Sequence, residues 1–149
     1  MRELPRQLTA DELAPLFSGR TRLVDELAAR DDPLAVAEEV ALALPDEDRF
    51  AALAAHPRIG ERSAEQHGGD VVVLAELARL NEEYERRFGF AFVVFVAGRP
   101  REELLPVLRE RLGRSREQEL ETGLRELCAI ARARWEQPRR EQQGWTRTT

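Results

Sequence analysis

The chain has 149 residues, enough for one domain with its own core, and its 42% apolar and 34% charged residues are unlike those of a disordered chain. The net charge is −5 and the arginines alternate with glutamates, which argues against a nucleic-acid-binding surface. No apolar run is long enough to span a bilayer, so we expect no membrane segment.

The first predicted helices are short. Thr9 and Glu12 have the spacing of a capping box, which predicts a helix that starts there and runs toward Phe17. Leu23 and Leu27, with the alanines near them, predict a second helix.

Two proline-containing pairs predict the next two helix starts. Asp32-Pro33 is typical of an N-cap followed by the first helical residue, and predicts a third helix that runs to about Leu44. Pro45-Asp46 predicts a fourth. This helix should end at His56, because the residue before a proline disfavours the helical conformation.

Three longer helices and one apolar run complete the pattern. Apolar residues recur every three or four positions over residues 73–88, which predicts a long amphipathic helix. The run that follows favours a strand by composition but has no partner strand, so we interpret residues 90–97 as an extended segment. Helices are predicted over residues 100–112 and 115–135, the latter opened by a second capping box.

These elements predict an all-α, single-domain bundle of about seven helices, with the extended segment of residues 90–97 passing through its core. Residues 1–137 are the predicted domain and residues 138–149 a flexible tail. Cys128 is the one cysteine, so no intrachain disulfide can form, and the first residues lack the apolar stretch of a signal peptide. We therefore expect a cytoplasmic protein.

Polar chemistry is concentrated in residues 54–70, AAHPRIGERSAEQHGGD, which include both histidines. His56, at a predicted helix end, could act in catalysis, but histidines are also common there because the helix dipole stabilises imidazolium. His67 is flanked by Gln66 and Gly68 and reads more simply as an exposed loop residue.

Metal and thiol chemistry are less well supported. Potential metal ligands occur in this stretch, but their spacing matches no compact motif, so we expect no metal. They are His56, Glu61, Glu65, His67 and Asp70. Cys128 falls on the apolar face of the last helix and is predicted to be a small core residue rather than a nucleophile.

The sequence has no lysine, which excludes Schiff-base and pyridoxal-type chemistry and a lysine-containing phosphate loop. A bound anion would be held by arginine or by backbone N–H groups. On a helical wheel Arg134 points into the apolar arc of the last helix and needs a carboxylate or an anionic ligand, whereas Arg132 points toward Glu121 and Arg125. Asn81 lies within an apolar helix face, where it should bond to loop backbone.

Four stretches, HPRIG, SAEQ, LNEEYERRFGFAFVVFV and ELETGLRELCAIARARW, occur in this order along the chain. Together they resemble the OHCU decarboxylases, which act on 2-oxo-4-hydroxy-4-carboxy-5-ureidoimidazoline in urate breakdown. The resemblance extends from about Leu8 to Trp135. It implies an all-helical carboxy-lyase that is a homodimer, forms (S)-allantoin and uses neither a cofactor nor a metal.

The resemblance also implies roles for particular residues. It makes His56 the catalytic general acid or base, with Glu65 and Arg134 as the other catalytic residues. The implied substrate-binding residues are Pro57, Ser63, Gln66, Phe92, Val93, Val94, Phe95 and Val96, the last five acting through their backbone.

The sequence departs from the family pattern at two places. Ala91 replaces the proline of F-G-F-P-F, and the loop between HPRIG and SAEQ is shortened to Glu61 and Arg62. The short loop leaves two alternatives open: a non-catalytic helical binding module, or an enzyme that acts on a related ureido compound.

Overall fold

The computed structural model describes residues 7–56 and 71–136. These residues form seven α-helices joined by turns and irregular segments, with no strand among them. They are α1 (Ala10–Leu13), α2 (Arg22–Ala28), α3 (Ala37–Ala43), α4 (Asp46–Ala54), α5 (Val71–Phe88), α6 (Arg101–Leu112) and α7 (Arg116–Glu136). The all-α prediction is confirmed over these residues. None of the described helices is both long and apolar enough to cross a membrane.

Both predicted capping boxes are present. At the start of α1, the Glu12 N–H donates to Thr9 Oγ1 at 3.1 Å, and the Thr9 N–H donates to Glu12 Oε1 at 2.9 Å. Before α7, Ser115 and Gln118 make the same reciprocal pair, each bond at 3.1 Å. Each box pairs backbone N–H groups that a helix start would otherwise leave without a partner.

The predicted start of the third helix was wrong. α3 begins at Ala37 and not at the predicted Pro33. The residues between form a turn in which the Asp32 carbonyl accepts two N–H bonds. Asp followed by Pro also suits such a turn. The Leu34 carbonyl accepts a bond from Arg132 Nε at 3.0 Å, so a distant side chain occupies an oxygen that a longer helix would have used.

The helices form one packed core. α2 contacts α1, α3 and α4, while α7 lies against α3 and α4, and α5 pairs with α6. Gly123 lets α7 approach α4 closely, because a Cβ at this position would lie 3.3 Å from Leu53 Cδ2. The end of α4 is therefore fixed against the long terminal helix.

An apolar segment follows α5 and passes into the core. Gly89, with φ of +85°, ends α5 in a left-handed conformation that glycine adopts without strain. Residues 91–96 lie in neither a helix nor a strand, and the first of their large side chains, Phe92, is 2% exposed. The Tyr84 ring packs on it with 5.0 Å between centroids.

Candidate functional site

His56 lies immediately beyond α4. It is half-buried, and its backbone N–H donates to the Leu53 carbonyl at 3.2 Å, which closes the last turn. The predicted position at a helix end is confirmed. At this end of a helix the backbone dipole favours a positively charged imidazole.

Arg134 lies near the end of α7 and is bonded to the chain that follows α1. Its Nη1 donates to the carbonyls of Pro15 and Leu16, both at 3.1 Å, and to Ser18 Oγ at 2.8 Å. These three acceptors are neutral groups of one short stretch of chain, and they orient the guanidinium. That a carboxylate or an anionic ligand also lies against Arg134 stays a prediction.

Residues 15–19, which we call the α1–α2 turn, connect Arg134 with the end of α4. Ser18 bonds to Arg134, and a Cβ built on the next residue, Gly19, would lie 3.5 Å from Ala55 Cβ. Ala55 directly precedes His56. The fold therefore brings the end of α4 at His56 and the Arg134 end of α7 against the same short turn.

Arg132 points in a direction that the helical wheel did not predict. We had expected it on the side of Glu121 and Arg125, but its Nε donates to the Leu34 carbonyl at 3.0 Å and its Nη1 lies 3.4 Å from a Glu38 oxygen. A wheel gives the direction of the Cα–Cβ bond, and a side chain as long as arginine can reach well beyond it. Arg132 therefore ties α7 to the turn before α3.

A buried ion pair fixes the start of the apolar segment. Glu119 is fully buried; its Oε1 accepts from Arg111 Nε and from the Tyr84 hydroxyl, both at 2.7 Å. Arg111, itself 4% exposed, also donates from Nη1 to the Val93 carbonyl at 2.8 Å and lies over the Phe92 ring. Burial and the bond to Glu119 raise the pKa of Tyr84 above its usual range, so its hydroxyl stays protonated as the donor.

Two further side chains bond to the backbone of the same segment. Glu126 of α7 accepts from the Phe95 N–H at 2.9 Å. Arg99 donates to the Phe95 carbonyl at 2.7 Å and to the Val96 carbonyl at 3.0 Å. Three of the five predicted substrate-binding residues of this segment, Val93, Phe95 and Val96, are therefore held by bonds from other side chains to their backbone.

Some buried polar groups have no partner among the described residues. Val94 is 4% exposed, yet neither its N–H nor its carbonyl makes a hydrogen bond there. Asn81 uses Nδ2 to bond to the Leu77 carbonyl at 3.1 Å, not to loop backbone as we had predicted, and its Oδ1 has no partner. Because buried polar groups are nearly always paired, these atoms are suited to binding a polar ligand.

Cys128 and the predicted metal ligands can be considered together. Cys128 is fully buried, and burial raises the pKa of its thiol to about 12, which leaves it a small core side chain as predicted. Within residues 7–56 and 71–136 no group of three or more His, Cys, Asp or Glu side chains is arranged to hold a metal. Of the five potential ligands, His56 alone belongs to that part.

Several predicted site residues lie outside the described residues. They are Pro57, Ser63, Glu65 and Gln66, and the second histidine, His67, also lies there. Conversely, sequence reasoning did not identify Ser18, Arg111, Glu119 or Glu126. Each of them has a bonding partner that is distant in the chain: Ser18 and Arg134 are 116 positions apart, Phe95 and Glu126 are 31 apart, Tyr84 and Glu119 are 35 apart, and Arg111 and Val93 are 18 apart.

Comparison with known proteins identifies the family. The sequence profile of OHCU decarboxylase matches residues 2–136. The chain belongs to the OHCU decarboxylase family. A 2-oxo-4-hydroxy-4-carboxy-5-ureidoimidazoline decarboxylase from Haloferax volcanii is 33% identical over 100 residues, which are 59% of this chain and 60% of that protein.

The chain is also similar to the uric acid degradation bifunctional protein PucL of Bacillus subtilis. It is 34% identical over 91 residues, which are 53% of this chain and 18% of that protein. The chain thus spans less than two thirds of the length of either curated relative. A crystal structure of OHCU decarboxylase in the presence of (S)-allantoin matches with a TM-score of 0.67 and 27% identity, over 76% of this chain and 87% of that one.

Proposed function

We propose that this protein is a carboxy-lyase that converts 2-oxo-4-hydroxy-4-carboxy-5-ureidoimidazoline to (S)-allantoin in urate degradation, without cofactor or metal. The observation that supports it best is the α1–α2 turn, which bonds to Arg134 and lies beside Ala55, the residue before His56. An imidazole that follows one end of this arrangement and a guanidinium at the other are the groups that a small anion needs if it is to be both bound and protonated.

The substrate explains why so few catalytic groups suffice. The bond between the ring carbon and its carboxylate breaks, CO₂ leaves, and the electron pair moves into the adjacent imine. The hydroxyl on the decarboxylated carbon then becomes the carbonyl of the product and its proton is lost, while the ring nitrogen and the former imine carbon each gain a proton, so that one proton is taken up overall. The face of the former imine carbon that receives its proton sets the chirality of the product. The ring accepts the electrons itself, so the protein has to orient the molecule, stabilise charge and deliver one proton.

Each side chain has a role that follows from its chemistry. His56 acts as the general acid or base, because an imidazole changes its charge near neutral pH. Arg134 binds an anionic oxygen of the substrate. Val94 supports backbone recognition by residues 92–96, since its N–H and carbonyl make no hydrogen bond within the described residues. On the family resemblance, Glu65 completes the catalytic set and Pro57, Ser63 and Gln66 contact the substrate.

The decisive experiment is incubation with freshly generated substrate while the chirality of the allantoin is followed by circular dichroism. Rapid formation of enantiopure (S)-allantoin, unchanged in EDTA, is the expected result. Racemic product formed at the uncatalysed rate would indicate a helical binding module. If the expected substrate is untouched and another ureido compound is turned over, the substrate assignment is wrong.

Assembly, location and domain limits belong to the same proposal. The family resemblance supports a homodimer, which light scattering after gel filtration would test. The single cysteine, Cys128, is fully buried and needs no oxidising compartment, which supports a cytoplasmic location. We also propose that residues 1–137 form the catalytic domain and that residues 138–149 are dispensable for turnover.

A further inference from the structure

Ser18 has a backbone conformation that is unfavourable for its residue type. Its φ is +66°, in the left-handed region that glycine adopts freely and other residues adopt at an energetic cost. Among the described residues, the other non-glycine residue with positive φ is Ala97, in an exposed turn. Glycine would satisfy the backbone of residue 18 better, so the strain there is offset by something that the side chain does.

The hydroxyl of Ser18 has one described side-chain partner, the guanidinium of Arg134. The Oγ–Nη1 distance of 2.8 Å is the shortest of the three bonds that Nη1 makes to the α1–α2 turn. The left-handed backbone directs this hydroxyl toward α7. The following residue, Gly19, lies beside Ala55, since a Cβ built on Gly19 would be 3.5 Å from Ala55 Cβ, so the same turn relates the guanidinium to the end of α4 at His56.

We infer that Ser18 is a positioning residue: its hydroxyl holds the Arg134 guanidinium at the distance from His56 that the substrate requires. This inference rests on the proposed function, in which Arg134 binds an anionic oxygen of the substrate. Ser18 does not touch the reacting atoms. Its effect passes through Arg134, so its loss should weaken substrate binding more than it slows proton transfer.

Ser18→Gly is the informative substitution, because it removes the hydroxyl and the backbone strain together. A role limited to the turn predicts an equal or higher melting temperature with unchanged kinetics. The positioning role predicts an equal or higher melting temperature together with a KM raised about three- to tenfold, the usual scale for the net contribution of one hydrogen bond. The kcat should change less than KM.

Two controls accompany the Ser18 variant. Ser115→Gly removes the hydroxyl that caps α7 at its opposite end, and should leave KM unchanged. In the Arg134→Ala background, Ser18→Gly should raise KM less than twofold further, because its target is gone.

A readout independent of turnover separates this inference from the proposed function. In side-chain NMR of the full chain, the Arg134 guanidinium, assigned with Arg134→Lys, should show restricted rotation that Ser18→Gly relaxes. If the wild-type protein does not turn over the substrate but this change is seen, the proposed function fails and the Ser18–Arg134 link stands. If Ser18→Gly alters neither KM nor the Arg134 signal, Ser18 is not a positioning residue.

Discussion

Replacing Arg111 by methionine should destabilise the protein strongly, because it leaves the Glu119 carboxylate buried without its main counter-charge. The pair is 2.7 Å apart, with side chains 4% and 0% exposed. Breaking such a pair from one side costs about 3–5 kcal/mol. The Tyr84 hydroxyl and, at 3.5 Å, Arg114 Nη1 still face Glu119, so we expect the lower end, about 3 kcal/mol.

The chain contains a matched control for this substitution. Arg125 and Glu121 are 2.6 Å apart, but their side chains are 53% and 50% exposed. Arg125→Met should therefore lower the free energy of unfolding by about 0.5 kcal/mol or less. The two pairs have nearly equal separations, so a difference in effect reports the burial of the first pair together with the other contacts of Arg111, to the Val93 carbonyl and the Phe92 ring.

Thermal unfolding followed by circular dichroism distinguishes the two variants. At about 2–4 °C per kcal/mol for a domain of this size, Arg111→Met should lower the melting temperature by about 6–12 °C, and Arg125→Met by about 2 °C or less. The double variant Arg111→Met/Glu119→Gln should recover part of the loss, since it removes the buried charge. An Arg111→Met shift as small as that of Arg125→Met would refute the reasoning.

The remaining predictions concern the site. His56→Asn should keep the helical circular dichroism spectrum and lose about 10²-fold or more in turnover, the scale of a general acid or base. The turnover of the control variant, His67→Asn, should stay within a few-fold of the parent. A folded, active His56 variant would remove that residue from the mechanism. Arg134→Ala should raise KM about 10- to 100-fold and Arg125→Ala, on the exposed side of α7, should not; equal effects would mean that Arg134 does not bind substrate. Cys128, whose thiol pKa burial raises to about 12, should react with a thiol reagent at pH 8 only after unfolding, and rapid labelling of the native protein would contradict its burial.

Local signals predicted the helices well because each depends on neighbouring residues. A capping box joins residues three positions apart, so the starts of α1 and α7 could be read directly from Thr9 and Ser115. The start of α3 could not. The turn before it is bonded to Arg132, which donates to the Leu34 carbonyl across 98 residues, and no window of local sequence includes both.

The same distinction between local and distant contacts decides which residues of the site the sequence could predict. The Pro that follows His56 marks a helix end locally, and the wheel singled out Arg134 as an unusual charge on an apolar face. The bonds from Arg134 to residues 15, 16 and 18 were inaccessible, because they depend on how the α1–α2 turn packs on α7. Glu119 was missed for a different reason: next to the Ser115 capping box, a glutamate is expected to be a solvated first-turn residue.

Helix α7 supplies most of the fixed points of the proposed site. Glu119 and Glu126 are seven residues apart, which places them within about 20° of each other around the helix axis. Glu119 binds Arg111, which donates to the Val93 carbonyl, and Glu126 accepts from the Phe95 N–H. Val94, between these two anchored positions, has backbone groups that make no bond within the described residues. Two turns beyond Glu126, Arg134 bonds to the α1–α2 turn. A substrate bound between these points would meet groups positioned by one rigid element, and catalysis without a cofactor depends on such positioning because orientation provides much of the rate.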